Sequence, residues 1–405
     1  MLSADEALQK ILEAVRPLER AETVPLTQAA GRILACDLTA RVDLPPFDNS
    51  AMDGLAVRAE EVRGASAQAP ARLPVQALLA AGAEKGTALL PGQAIKIMTG
   101  APVPEGADAV VMKEWTRAVN GMAEILHAPK PGEHIRRRGE DVRRGETLLP
   151  RGSLLRPYEI ALLAAQGWTQ AAVWARPAAA IVATGSELVS TGTPELGFGQ
   201  IYNANGPALA AALGRWGVDT IDFGIVPDEK EALRGAFQRA EAEADLLLIS
   251  GGVSVGDFDW TRILLEELGL QVVFWKVAIK PGKPLLFGIW NGKPVFGLPG
   301  NPVSALVCLE EFVRPALEKQ KGQAPAHPSY HLQGVLGADF WKEEGRQQCV
   351  FCRVLESPSG FQVHVIRPQG SAMVGMACKA NALAKIPAEA RRLTKGTPVA
   401  FRWLK

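Results

Sequence analysis

The stretch ADLLLISGGVSVGDFDWT, residues 244–261, constrains the fold more than any other part of the chain. Asp245 to Ser250 is a short apolar run of the kind that sits buried on both faces of a sheet. It ends at Gly251-Gly252, where backbone turns sharply and approaches a ligand with no Cβ in the way. Ser250 and Ser254 add hydroxyls and Gly256 a second pivot. Asp259 stands where an N-cap is expected, ahead of a helical pattern from Trp260 to Leu268. A strand released through a Gly- and Ser-rich loop into a helix is a common way to hold an anion. An ordinary tight turn would explain the glycines alone. Asp257 and Asp259 beside the loop point further, to a metal or a polar organic group. No GxxxxGK[ST] occurs, so this is not the usual nucleoside-triphosphate loop.

The same strand–turn–helix grammar surrounds that stretch. Ala178 to Thr184 reads as a strand followed by the turn Gly185-Ser186-Glu187. Pro207–Trp216 is helical, Val218–Val226 is a strand, and Asp228 with Glu231 forms a capping-box pattern opening a helix to about Glu243. Phe296 to Ser304, FGLPGNPVS, runs a strand into a helix through Asn301 as N-cap and Pro302 at the first helical position. Such units predict a mostly parallel, doubly wound sheet whose ligands bind at the carboxyl ends of the strands. Those ends would gather Glu187, Gly251, Gly252, Ser254, Asp259, Lys280, Lys283, Pro299, Gly300, Pro302 and Ser304. Gln271 to Lys280 reads as one strand with Lys276 and Lys280 on the same face. The pair forms an anion site, or alternatively the solvated face of an edge strand. Carboxylates suit Mg²⁺, and lysines with backbone amides suit phosphate oxygens.

Upstream, Ser3 to Val15 is an amphipathic helix with a Ser3/Glu6 capping box rather than a signal peptide. Residues 44–58, LPPFDNSAMDGLAVR, form a loop dense in polar groups, a functional loop or a solvated turn cluster. Leu73 to Leu149 breaks into short apolar pieces between Gly and Pro, which predicts a small β-rich domain. It includes IKIMTGAPVPE with its Thr99-Gly100 turn, and IRRRGED, whose Glu140 and Asp141 half-cancel three arginines on a solvated surface. A helix over Pro157–Gln166 is expected to pack on the first helix. Past the linker at 324–328, short strands at 331–336, 347–355, 361–367 and 399–403 predict a small β-barrel-like domain. The domains are thus 1–42 with 143–175, a discontinuous helical linker domain; 43–142, β-rich; 176–326, α/β; and 327–405, C-terminal β.

Composition narrows the partners. The 44 basic and 43 acidic residues nearly cancel, which disfavours nucleic acid. No apolar run approaches the ~18 residues of a membrane span. Five cysteines, an odd number, suggest reduced thiols and a cytoplasmic address. Cys349 and Cys352 are three apart on a predicted strand, hence on opposite faces, and read as core thiols rather than a zinc pair. His327 and His331 are four apart, but Pro328 argues against a helix that would aim both at a metal.

The motifs PPFDNSAMDG, IMTGAPVPEGADAVVM, IRRRGED, TGSEL, SGGVSVGDFDWT, WKVAIKPGKP and GLPGNPVSA together resemble the molybdopterin molybdenumtransferase family (MoeA-type). The C-terminal part of gephyrin is similar to it. The central loop alone would not separate this family from adenylyltransferases or competence-damage proteins that share the molybdopterin-binding domain. Leu55 stands where the family often has an aromatic residue, and Tyr202-Asn203-Ala204-Asn205 where it often has a YDTN-like segment. The resemblance implies an enzyme that inserts molybdenum from molybdate into adenylylated molybdopterin, releasing AMP with Mg²⁺ present. Its alternatives are a dimeric scaffold of gephyrin type and a molybdopterin adenylyltransferase. It also implies a homodimer of four-domain subunits, with an adenylyltransferase as a candidate partner. By motif match, Asp53, Thr99, Asp141, Glu187, Asp228 and Asp259 surround substrate and metal, with Glu187 and Asp259 as metal ligands. Lys276, Lys280 and Lys283 would bind anionic groups, and Arg353, Ser371 and Ser304 would hold molybdate.

Overall fold

The structure is a computed structural model describing residues 1–82, 87–252, 260–323 and 330–404. It divides into two compact units, one of Met1–Ala35, Gly152–Arg156 and Gln170–Lys405, the other of Cys36–Arg151 and Pro157–Thr169.

In the first unit the apolar runs become β1 (Ala178–Thr184), β2 (Asp219–Val226), β3 (Leu246–Ser250), β4 (Gln271–Trp275), β6 (Leu286–Trp290) and β7 (Lys293–Leu298). Their order in the sheet is β2-β1-β3-β7-β6-β4. The first four are mutually parallel, while β6 runs against both β7 and β4. Because successive side chains alternate, each central strand feeds two cores. Ala179, Ile181, Leu246 and Leu248 join one; Ala180, Val182, Leu247 and Ile249 join the other. The first is covered by the helix Ala4–Ala14 through Ala7, Leu8 and Ile11, and by Asn205–Arg215 through Leu209 and Leu213. Lys230–Glu243 covers the second with Leu233 and Phe237. Each such fully buried Leu or Phe is worth about 1.5–3 kcal/mol. Two cores on one sheet are what the doubly wound reading requires.

Local signals fared unevenly. The Ser3/Glu6 capping box forms, with the Glu6 carboxylate accepting the Ser3 N–H at 2.8 Å. The Asp228/Glu231 box does not: the helix begins one residue later than that pattern requires, with Glu229 at its cap and no side-chain cap bond. Helix Pro157–Ala165 falls in the second unit, whereas Ala4–Ala14 packs into the α/β core. The single strand expected over Gln271–Lys280 is two. Lys276 takes φ +74°, a left-handed conformation that ends β4, and β5 (Ile279–Lys280) pairs with another sheet. Lys276 and Lys280 therefore do not share a strand face.

That other sheet is a barrel. Strands β8 (Leu332–Leu336), β9 (Gln347–Ser357), β10 (Gly360–Val365), β11 (Ala382–Ile386) and β12 (Pro398–Trp403) are hydrogen-bonded in the order β9-β10-β8-β12-β11. Pairing of β11 back to β9 closes the ring. Val350, Cys352, Val363, Ala384 and Phe401 fill it, while Cys349 and Phe351, on the opposite face of β9, join the α/β core. The two cysteines are thus packing residues on opposite faces, and burial pushes both thiols up to about 12. At neutral pH neither is a thiolate. All five cysteines are free.

Barrel and α/β sheet are joined by a buried polar knot. Arg402 of β12 meets Glu311 at 3.0 Å, both nearly closed off from solvent, and Glu310 at 3.3 Å. The Tyr330 hydroxyl donates to the same oxygen, Glu311 Oε1, at 2.8 Å. Glu311 sits in one π-helical turn, Leu309–Val313. Burial pushes its carboxyl above the ordinary range, and Arg402 and Tyr330 act against that shift.

The second unit carries a six-stranded sheet in the order Ala109–Met112, Gly54–Val57, Ala94–Ile97, Ala71–Leu79, Met122–Ile125, Thr116–Val119. Leu55, Val57 and Val111 pack on one face and Ala56, Ile95, Ile97 and Val110 on the other. No helix among the described residues is long and apolar enough to cross a membrane.

Candidate functional site

Parallel strands bring their carboxyl ends to one edge of the α/β sheet. Glu187 follows β1, Asp228 follows β2, Gly251-Gly252 follows β3 and Pro299-Gly300 follows β7. Gly251 takes φ +94°, and a Cβ there would lie 2.1 Å from the Thr184 carbonyl oxygen. Only glycine lets β3 turn this close to the end of β1. Asn205, at the start of its helix, donates to Ser250 Oγ at 2.6 Å and to the Gly300 carbonyl at 2.8 Å. Its Oδ1, Thr184 Oγ1 and Thr261 Oγ1 are buried without a hydrogen-bond partner among the described residues. Buried polar atoms left open at a sheet edge are groups in want of a ligand. Glu187 and Asp228 are exposed at the same edge. Ser254 and Asp259, with Asp257 and Gly256, lie outside the described residues.

The turn Pro299–Asn301 is shared with a second feature. Beyond it lies a cavity of about 410 Å³, walled by Lys280 to Pro284, by Pro299, Asn301, Val303 and Ser304, by the start of β9 and by Gln369 to Ser371. Its charged lining is Lys280, Lys283 and Arg346, with no carboxylate among the described lining residues. Asn301 Nδ2 donates to Ser371 Oγ at 3.0 Å, and the Val303 N–H donates to the Ser371 carbonyl at 3.1 Å. The Gln369 side chain caps the backbone of Phe351 in both directions, donating at 2.8 Å and accepting at 3.2 Å. Gly282 permits the inner wall: a Cβ there would sit 2.6 Å from Cys308 Sγ. Three cations, hydroxyls and backbone, sealed on one side by apolar core, make a receptor for a compact oxyanion.

Lys280, Lys283, Pro299, Ser304 and Ser371 are thus brought together. Lys276 is not with them; its ammonium lies 3.8 Å from the Trp275 ring centroid, a cation–π contact. Arg353 is exposed two residues beyond Phe351 on the same face of β9, and it does not line the cavity. Arg346, just ahead of β9, does. Gly300 and Pro302 sit in the shared turn and at the first helical position behind it. Sequence reasoning missed Arg346, Gln348, Asn205, Thr184 and Thr261. Asn205 did leave a signal, because it closes the Tyr202–Asn205 segment that departs from the family pattern.

In the second unit, antiparallel pairing of Gly54 with Ile97 sets the residue before one strand beside the residues after the other. Asp53 Oδ1 accordingly accepts the Thr99 N–H and the Thr99 hydroxyl, both at 2.8 Å. These bonds, with Lys113 nearby, hold the Asp53 carboxyl below the usual carboxylate range. Three motif loops are woven here: Asn49-Ser50 pairs with Ile135-Arg136, and the Gly100 N–H donates to the Ser50 carbonyl at 2.8 Å. Asp141 is exposed, its N–H bonded to the Leu44 carbonyl at 3.0 Å. The three arginines of IRRRGED lie on the exposed surface, and two of them, Arg137 and Arg138, are ion-paired there. Arg137 meets Asp48 at 2.7 Å, and the Arg138 N–H meets Asp48 Oδ1 at 2.8 Å. Asp43 receives Arg138 and the Arg144 N–H.

The chain matches three family descriptions in order: MoeA N-terminal region (domain I and II) over residues 2–167, probable molybdopterin binding domain over 180–319, and MoeA C-terminal region (domain IV) over 333–403. A molybdopterin molybdenumtransferase of Nostoc sp. is 39% identical over 93% of this chain and 87% of its own length. One from Haemophilus influenzae is 37% identical over 98% of each. A solved structure titled molybdopterin biosynthesis moeA protein, from Pyrococcus horikoshii, superposes with a TM-score of 0.86 at 30% identity and covers 100% of both chains. The chain belongs to the molybdopterin molybdenumtransferase family.

Proposed function

We propose that this protein inserts molybdenum from molybdate into the dithiolene of adenylylated molybdopterin and releases AMP. The observation that carries the reading is the shared turn Pro299–Asn301. On one side lie the Gly251-Gly252 turn and the open buried atoms of Thr184, Asn205 and Thr261; on the other lies the Lys280–Lys283–Arg346 cavity. A pterin ligand held at the sheet edge would present its dithiolene to an oxyanion held behind that turn. Molybdate, a tetrahedral dianion, matches three cations and no carboxylate. Orienting the two within reach supplies the positional part of catalysis.

Release of AMP requires water to attack the adenylyl phosphorus as the phosphoanhydride P–O bond breaks. Asp53, Thr99, Asp141, Glu187, Asp228 and Asp259 are proposed around that reaction, with Gly251, Gly252 and Ser254 on the phosphates. A magnesium ion fits the donor set. Mg²⁺ takes one or two carboxylates and fills its remaining positions from phosphate and water, and Glu187 is exposed in the turn that follows β1. Glu187 with Asp259 would hold it, and it would supply charge neutralisation at the phosphates. A homodimer, in which the Asp53 loop of one subunit completes the site of its partner, rests on the family resemblance. So does a partner adenylyltransferase. A cytoplasmic address is supported by five free thiols.

Incubation with adenylylated molybdopterin and molybdate tests the function: AMP release with metal-bound dithiolene is expected, and ATP consumption without metal insertion would overturn it. Lys280→Ala combined with Lys283→Ala should weaken molybdate binding by about 100-fold or more, since each charge-assisted contact is worth roughly 1.5–3 kcal/mol. Unchanged affinity in the folded double variant would remove the cavity from the mechanism. For the dimer, mixing Asp53→Ala chains with Glu187→Ala chains should restore part of the activity, because one composite site is then intact. Subunits that exchange yet recover nothing would count against a shared site.

A further inference from the structure

A second cavity in the first unit, about 250 Å³, lies outside everything described so far. Its walls are residues 30–33, residues 174–176, the C-terminal end of helix Asn205–Arg215 and Lys321. Every charged residue lining it is a cation: Arg32, Arg176, Arg215 and Lys321. It shares no residue with the Lys280–Lys283 cavity.

One of these cations, Arg32, is interior and a second, Lys321, is half-buried. Arg32 is 8% exposed and is held by Glu22 and, at 2.7 Å, by the Trp174 carbonyl. Lys321 donates one N–H to the Trp216 carbonyl at 2.8 Å, which leaves two donors of its ammonium for another acceptor. The other two stand exposed at the rim. Arg176 is 3.9 Å from Asp219, and Arg215 has no carboxylate within 4 Å among the described residues. Glu22 and Asp219 offset two of the four charges and Glu318 acts on Lys321, so the lining keeps a positive excess, the sign that the anionic phosphate monoester requires. Burial, opposed by Glu318 and aided by Arg314, holds the Lys321 amine below the ordinary lysine range. An anion placed against it would relieve that penalty. A helix C-terminus adds negative potential at one wall, so the side-chain cations and not the helix dipole must do the attracting.

We propose that this cavity is a second oxyanion site, built for a phosphate monoester dianion and independent of the molybdate cavity. Free phosphate and the phosphate of a nucleotide present the same group, and the experiment separates them. Isothermal titration of inorganic phosphate, and separately of AMP, is done on the Lys280→Ala/Lys283→Ala protein, in which the other cavity has lost its lysines. A saturable site for phosphate is expected, weakened by added salt. Adding Arg176→Ala and Arg215→Ala should lower its affinity roughly tenfold or more. Both arginines are exposed, and an unchanged melting temperature checks that the fold is kept. Because AMP as a product would also bind at the sheet edge, only AMP binding lost with the two arginines is counted: tighter arginine-dependent binding of AMP than of phosphate identifies a nucleotide ligand, and equal binding identifies free phosphate. No saturable binding of either, or binding indifferent to the two arginines, overturns the site. The readout needs no turnover, so it stands or falls apart from the transferase reading.

Discussion

Gly251→Ala is expected to abolish most of the activity, lowering AMP release about 100-fold or more. The added methyl would stand 2.1 Å from the Thr184 carbonyl oxygen, at a backbone φ of +94° that side chains avoid. Neither residue has much room to yield, since Thr184 ends β1 and Gly251 directly follows β3, and the two strands are paired up to Ala183 and Ser250. The turn must therefore move, and a displacement of about 1 Å at a reacting centre costs on the order of 10²-fold. Stability should fall as well, by roughly 4–5 kcal/mol, the upper range for single substitutions. Gly292→Ala is the control. It shares a left-handed backbone, φ +79°, but a methyl there meets nothing within 4 Å. About 1–2 kcal/mol of stability and no activity should be lost. Measured side by side, Gly251→Ala with normal turnover would mean that the sheet-edge turn is not part of the site.

The second large effect concerns the knot between barrel and α/β sheet. Arg402→Met leaves the Glu311 carboxylate buried, with the Tyr330 hydroxyl as its remaining hydrogen-bond partner among the described residues and Lys385 as a more distant cation. Removing one partner of such a pair typically costs about 3–5 kcal/mol. The loss should depend on pH. Burial already holds the Glu311 carboxyl above its ordinary range, and loss of Arg402 raises it further. A carboxyl with a raised native pKa contributes stability that is complete below its unfolded value and fades as pH rises through the native one. The deficit of Arg402→Met should therefore be smallest in mild acid and grow toward neutral pH. Glu311→Met added to Arg402→Met should recover much of it by replacing two charges with apolar volume. Denaturant unfolding across pH measures both effects. A small, pH-independent deficit would mean that water reaches the pair.

Much of this architecture is legible in the sequence because short apolar runs and glycine turns carry it. The runs at Ala178, Leu246 and Phe296 announce buried strands, and the glycines after them announce the sheet edge. What periodicity cannot see is a single dihedral. Alternation across Gln271–Lys280 is regular enough to suggest one strand, yet the left-handed turn at Lys276 divides it between two sheets. Pairing across long separations is equally invisible. Nothing local shows that Arg137 and Arg138 answer Asp48 and Asp43, almost a hundred positions earlier. The barrel strand Ala382–Ile386 escaped because alanine gives little strand signal. Arg353 was named on motif alone; it shares the face of Cys349 and Phe351 but lies two residues further along β9, past the end of the cavity lining.

Lys280 and Gln348 are ladder partners, Arg346 lies two residues before Gln348, and the Gln347 N–H bonds to the Ala278 carbonyl at 3.0 Å. The main-chain spacing between Lys280 and the start of β9 is therefore that of neighbouring strands, about 4.7–4.9 Å. Exchanging core side chains on either side would leave it almost untouched. The sequence could drift through both hydrophobic cores and still keep the same gauge across the Lys280–Arg346 cavity, because the ruler is main chain.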